Sequence, residues 1–161
     1  MAPVAERELL LHTAFRTVLT AMAYPGRTQV GPVAGEPDAG HTTVALITAS
    51  LLESSDDTHN VVFAKGDPSA QMIARLSPGT EEIPEDGATL IIVDATACTA
   101  ARLSGPGIRE AFATELPLTR AALEARNLAC ADYPLGVDLI FVHADGRVSA
   151  LPRTTHVEVL T

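Results

Sequence analysis

Eight consecutive residues, Gly87-Ala88-Thr89-Leu90-Ile91-Ile92-Val93-Asp94, form the most apolar run of the chain. A strand with one wet face alternates apolar and polar side chains. A run without that alternation suits a strand covered on both faces. The expectation is therefore a strand at the centre of a sheet that is packed between helices. With 161 residues and 47% hydrophobic content, the chain is long enough to bury one good core and too short for two typical domains. Aromatic residues make up 4% and tryptophan is absent, so the core is expected to be aliphatic.

Around this run, Leu11, Phe15, Val18, Leu19 and Met22 recur at helical spacing and predict a helix that ends near Tyr24, ahead of Pro25-Gly26. A short extended piece from Thr28 to Val33 and a glycine- and proline-rich loop up to Gly40 follow. Thr42 or Thr43 is read as the cap of a helix carrying Val44, Ile47 and Leu51, closed by Ser54-Ser55-Asp56-Asp57. Asn60 to Ala64 reads as a strand. Asp67-Pro68 reads as a cap with proline at the first helical position, opening a helix to Leu76. Ala100 to Leu103 is expected to pair antiparallel beside the central strand. Ser104-Gly105-Pro106-Gly107 should form a tight turn, and Leu118 to Leu128 a helix. Val137 to Val142 leads through Ala144-Asp145-Gly146 into a second strand, the signature of a hairpin. No internal repeat or linker interrupts the single domain, residues 1–161.

Twenty acidic against eleven basic side chains give a net charge of -9, which repels nucleic acid and anionic membrane surfaces. No window has the uncharged length of a membrane span, and no signal-peptide pattern opens the chain, so a cytoplasmic protein is expected. Cys98 and Cys130 are far apart and form no C-x-x-C pair; two buried thiols in a reducing compartment are the expectation. A phosphate-bearing ligand would need a local arginine cluster, and ten of the eleven cations are arginines.

Lys65 is the single lysine, and therefore the only residue able to form the internal imine of a pyridoxal enzyme. A lone lysine at a strand end is ordinarily a solvated surface group. The five histidines, His12, His41, His59, His143 and His156, show no spacing that sets two imidazoles on one element. His156 with Glu158 is the nearest approach to a metal pair, and two ligands do not make a site. G-x-S-x-G, Walker and G-x-G-x-x-G patterns are absent. The groups left to hold a phosphate or carboxylate are Arg153 and His156, with Thr154 and Thr155 between them, together with Arg27 and Arg102. The same polar run is equally readable as the capping of a strand edge. Asp138, early in an apolar strand, needs an arginine, turn amides or water as partners.

Phe15-Arg16, Ala21-Met22, Pro25-Gly26, Gly87 to Leu90, Leu103 to Ile108, Tyr133 to Ile140 and Leu151 to Val159 occur in an order that resembles the H subunit of bacterial carbon-phosphorus lyase. Pro134-Leu135-Gly136-Val137-Asp138 followed by Pro152-Arg153-Thr154-Thr155-His156 carries most of the resemblance. It implies a three-layer α/β/α sandwich with a mixed sheet, similar to the large domain of pyridoxal-phosphate-dependent transferases but without the cofactor. It also implies a homodimer and membership of a core complex with the G, I and J subunits. Such systems form α-D-ribose 1-methylphosphonate 5-triphosphate from ATP and methylphosphonate, then cleave the carbon-phosphorus bond. Catalysis there is attributed to other subunits, so no catalytic residue carries over. Asp138, Arg153, Thr154, Thr155 and His156 become a candidate dimer-edge or ligand-facing patch. One departure stands out: between Leu52 and Val61 only Glu53 to Asn60 remain, where the family usually has a further strand and helix. The competing expectations are a free-standing transferase of pyridoxal-type fold and a non-catalytic dimer that senses an anion.

Overall fold

A computed structural model describes residues 4–54 and 60–161. Residues 55–59 of the shortened segment, which include Ser55-Asp56-Asp57 of the expected helix closure and His59, lie outside the described residues.

The run Thr89–Val93 (β2) is the inner strand that its composition requires. It pairs in parallel with Val61–Lys65 (β1) on one side and with Asp138–Val142 (β5) on the other. Val148–Leu151 (β6) pairs antiparallel with β5 and completes a mixed four-stranded sheet of order β1-β2-β5-β6. Ala144-Asp145-Gly146 lies in the connection between β5 and β6, with Gly146 at φ 85°, as the sequence predicts.

Both faces of this sheet are covered. Ile91, Val93, Ile140 and Val142 point to one side, where they join Ala14, Val18 and Ala21 of helix α1 (Val4–Ala23) and Val44 and Ile47 of helix α2 (Ala39–Ser54). Leu90, Ile92, Leu139 and Phe141 point to the other. There they meet Ile73 of the short helix α3 (Ala70–Ala74) and Ala122 and Leu123 of α4 (Arg120–Ala129). The same core takes in Ala101, Leu103, Leu116 and Val157 from a second, three-stranded antiparallel sheet. That sheet has the order β4-β3-β7, with β3 Thr99–Ser104, β4 Phe112–Leu116 and β7 His156–Val159.

Four local expectations are corrected. The segment Ala100 to Leu103 does not flank the central strand; β2 already has β1 and β5 at its two edges, and β3 pairs with β4 and β7 instead. Helix α2 begins three residues before Thr42, because Gly40 fits tightly against the β5–β6 connection. A Cβ at Gly40 would lie 2.9 Å from the His143 carbonyl oxygen, and the Gly40 amide donates to Ala144 O at 3.1 Å. The cap of α3 is Ser69, whose hydroxyl accepts from the Met72 amide at 3.1 Å. Asp67 instead ties two loops, its carboxylate accepting from the Thr96 amide and hydroxyl and the Ala97 amide at 2.8–2.9 Å. Those bonds hold its pKa below the usual carboxylate value. The extended piece after α1 shrinks to one bridge, Gln29 to Val148.

Candidate functional site

Pro152 has no amide hydrogen, so the β6 ladder ends there, and the chain reverses through a turn closed by the Thr155 amide donating to Pro152 O at 3.0 Å. The turn carries Arg153 inward, over the start of β5. Its amide donates to Asp138 Oδ1 at 2.7 Å and its Nη2 to Asp138 Oδ2 at 2.9 Å. Nη1 reaches the Pro84 carbonyl at 2.7 Å and Nη2 the Gly87 carbonyl at 3.4 Å. The Asp138 and Arg153 side chains are 16% and 15% exposed, so the pair is a half-enclosed clamp that joins β5, the 84–87 turn and the 152–155 turn. The sequence requirement that Asp138 find a partner is met here by Arg153.

A second arginine holds the turn from beneath. Arg126, on α4, is 1% exposed; its Nη1 donates to Thr155 O at 3.0 Å and Asn127 Oδ1 at 3.1 Å, and its Nη2 to Pro152 O at 2.5 Å. Burial pushes its pKa below the ordinary guanidinium value, opposed by Cys130 and Asp138. It remains charged, since a guanidinium stays protonated at any accessible pH. Asn127 adds a bond from Nδ2 to Val157 O at 2.9 Å, which fixes β7 to α4. Nothing in the local sequence marks Arg126, because the two turn carbonyls it binds lie 26 and 29 residues away.

Between the turn and α4 lies a cavity of about 400 Å³ bordered by Arg126, Asn127, Arg153, Thr154, Thr155 and His156, with Cys130 and Tyr133 at its other wall. Thr154 and His156 are exposed and Thr155 is buried. The structure thus brings Asp138, Arg153, Thr154, Thr155 and His156 to one place. Arg27 and Arg102 do not border this cavity. Arg27 stacks over the Phe112 ring at 5.3 Å, and Arg102 faces Glu158 across the β3–β7 pair at 3.9 Å.

A second cavity, of about 560 Å³, lies beside the carboxyl end of β1 and is largely apolar, with His41 and Lys65 among its lining residues. His41 Nε2 is 2.8 Å from Asp94 Oδ2, and a carboxylate only accepts, so Nε2 carries the hydrogen. Asp94 holds this position with φ 57°, a left-handed conformation uncommon outside glycine. The His41–Asp94 contact spans 53 residues and escapes any reading of spacing. Among the described residues, no three His, Cys, Asp or Glu side chains gather as metal ligands, and no helix is long and apolar enough to cross a membrane. Cys98 is exposed, contrary to the expectation of two buried thiols, whereas Cys130 is half-buried against Val137.

Residues 32–158 match the family model of the bacterial phosphonate metabolism protein, PhnH. Over 174 aligned positions the chain is 32% identical to a protein of Stutzerimonas stutzeri that bears the name C-P lyase subunit protein HtxG. The alignment takes in 91% of this chain and 85% of that one. The family match runs from the loop before α2 into β7 and includes both arginines and the whole turn.

Proposed function

Because the chain belongs to the bacterial phosphonate metabolism protein family, PhnH, we propose that it serves as an accessory subunit of a carbon-phosphorus lyase complex in the catabolism of organophosphonates. The similarity to HtxG, which spans nearly the whole chain, is the observation that carries this reading. The complex would form α-D-ribose 1-methylphosphonate 5-triphosphate from ATP and methylphosphonate and then cleave the carbon-phosphorus bond, with the chemistry assigned mainly to the I and J partners. The arrangement of the turn agrees with a supporting part. Arg153 binds Asp138 and neighbouring carbonyls, which leaves the exposed Thr154 and His156, with Thr155 buried between them, to meet a ligand or a partner.

The same proposal includes a homodimer in the cytoplasm and a three-layer sandwich similar to the large domain of pyridoxal-phosphate-dependent transferases. Helices α1 and α2 on one face of the mixed sheet, and α3 and α4 toward the other, support the layering. Tagged chain co-expressed with the G, I and J subunits should bring them down in fixed stoichiometry. A monomer that elutes alone from such a mixture sinks the proposal. The cofactor-free reading is checked by mixing the protein with pyridoxal phosphate. No imine absorption band is expected, and a band abolished by Lys65→Ala would establish the free-standing enzyme instead.

A further inference from the structure

Helix α2 is apolar on two faces. Val44 and Ile47 pack against the sheet, whereas Ala45, Ala49 and Leu52 line the cavity of about 560 Å³ beside β1, with Leu52 57% exposed. The opposite wall is the edge of the sheet. Phe63 and Lys65 are the register partners of Ile91 and Val93, so their side chains leave the α2 side of the sheet. Helix α2 lies chiefly over β2 and β5, however, and Phe63 stays 58% exposed. Folded chains seldom leave an aromatic ring and an apolar helix flank side by side with nothing to cover them.

The polar groups of this cavity are gathered at one end. Lys65 closes β1 alongside Val93, and His41, in the first turn of α2, binds Asp94, the residue after Val93, at 2.8 Å. Leu52 lies roughly three turns, or about 16 Å, farther along α2. The cavity is therefore a slot with donors at the carboxyl ends of β1 and β2 and apolar walls along the rest. None of the ion pairs among the described residues involves Lys65, although the chain has twenty carboxylates. An ammonium donates and cannot accept, so the ligand group that meets it is an acceptor, and an anion answers its charge. His41 is already committed to Asp94 at Nε2, and Asp38 Oδ1 lies 3.8 Å from its Nδ1. With two carboxylates at that end and no arginine in the lining, a second negative charge on the ligand would be repelled. The slot suits one negative charge on an extended apolar body.

We propose that this slot binds an aliphatic monocarboxylate, its head group paired with Lys65 and its chain laid between Phe63 and the Ala45–Leu52 flank of α2. The volume is that of an ordinary small-molecule site. The site is separate from the turn at Arg153 and stands whether or not the chain joins a lyase complex.

Calorimetric titration of the purified chain with butyrate, hexanoate and octanoate at matched ionic strength tests it. Saturable binding of octanoate is expected, with affinity rising along the series by up to about fourfold for each methylene buried. Octylamine, the same chain with the opposite charge, should bind at least about tenfold more weakly. Lys65→Met keeps the length of the side chain and removes its charge, and should weaken octanoate binding by about tenfold. Ala45→Phe sets a ring in the slot and should abolish binding. Both positions are exposed, so both variants should keep the native Tm. Absence of saturable octanoate binding, octylamine bound as tightly as octanoate, or unchanged affinity in either variant overturns the proposal. So does a changed oligomeric state of Ala45→Phe in sedimentation, which would make the slot an interface between copies of this chain.

Discussion

At Gly87 a single added carbon has nowhere to go. Its Cβ would sit 2.5 Å from Arg153 Nη1 and 2.5 Å from the Gly136 carbonyl oxygen. The guanidinium end could swing away, at the expense of its bonds to Pro84 and Asp138; the Gly136 carbonyl is backbone and cannot. Gly87→Ala should therefore lower stability by about 1–3 kcal/mol, the range for overpacking a closed site, as measured by urea denaturation. Full stability in that variant would show that the clamp is looser than its distances imply. His143 sets a second expectation at this scale. Burial holds its pKa below the ordinary 6.5, with Asp145 opposing and Arg147 assisting. The unfolded chain then binds the proton more readily than the folded one, so stability is present above about pH 6.5 and declines as the pH falls through the depressed folded value. Unfolding free energies measured at a series of pH values between about 7 and 5 should show this decline in the native chain and a flatter profile in His143→Asn. Of the residues at the turn, Asp138 was legible as a carboxylate in need of a partner, but sequence left arginine, turn amides and water equally open, and only the fold selects Arg153. Arg126 was not legible, since only the docking of α4 beneath the turn gives it its partners.

Helix α4 shows how a capping residue fixes an element. Thr119 is extended and its hydroxyl accepts from the Ala122 amide at 3.2 Å, which satisfies one of the free donors of the first turn. Thr119→Ala should cost about 1 kcal/mol. Because α4 carries Arg126 and Asn127, the same substitution should raise hydrogen exchange at the Thr155 and Val157 amides; protection unchanged there would mean that the turn does not depend on the helix end. Elements with their own periodicity were legible: β2 from its unbroken apolar run, and α1 as a helix, although its buried face takes in Ala14, Thr17 and Ala21 and leaves Leu19 of the expected stripe exposed. Elements decided by distant contacts were not. Asp67-Pro68 has every local mark of a cap, yet the amides of Thr96 and Ala97 compete for the carboxylate, and Ser69 takes the role. Strand β4 escaped because Phe112-Ala113-Thr114-Glu115-Leu116 holds too few apolar residues to stand out. Its burial alternates from half-buried to exposed along most of its length, as befits an edge strand of the small sheet.

For the whole molecule, the sheet divides the interior into two cores, and this separation is testable by energetics. Ile91 and Ile92 are neighbours in sequence, but their side chains leave opposite faces, Ile91 toward α1 and α2 and Ile92 toward the core shared with α3, α4 and the small sheet. Ile91 and Ile140, far apart in sequence, are register partners on adjacent strands and share one core. Each Ile→Val change should cost about 0.5–1.5 kcal/mol, small enough to leave the double variants folded. The Ile91→Val/Ile92→Val pair should then add to within about 0.5 kcal/mol, because neither side chain relaxes into space left by the other. The Ile91→Val/Ile140→Val pair should depart from additivity by more, since the two small voids adjoin and can collapse together. Equal coupling in both double-mutant cycles would mean that the sheet transmits repacking from face to face and that the interior behaves as one core.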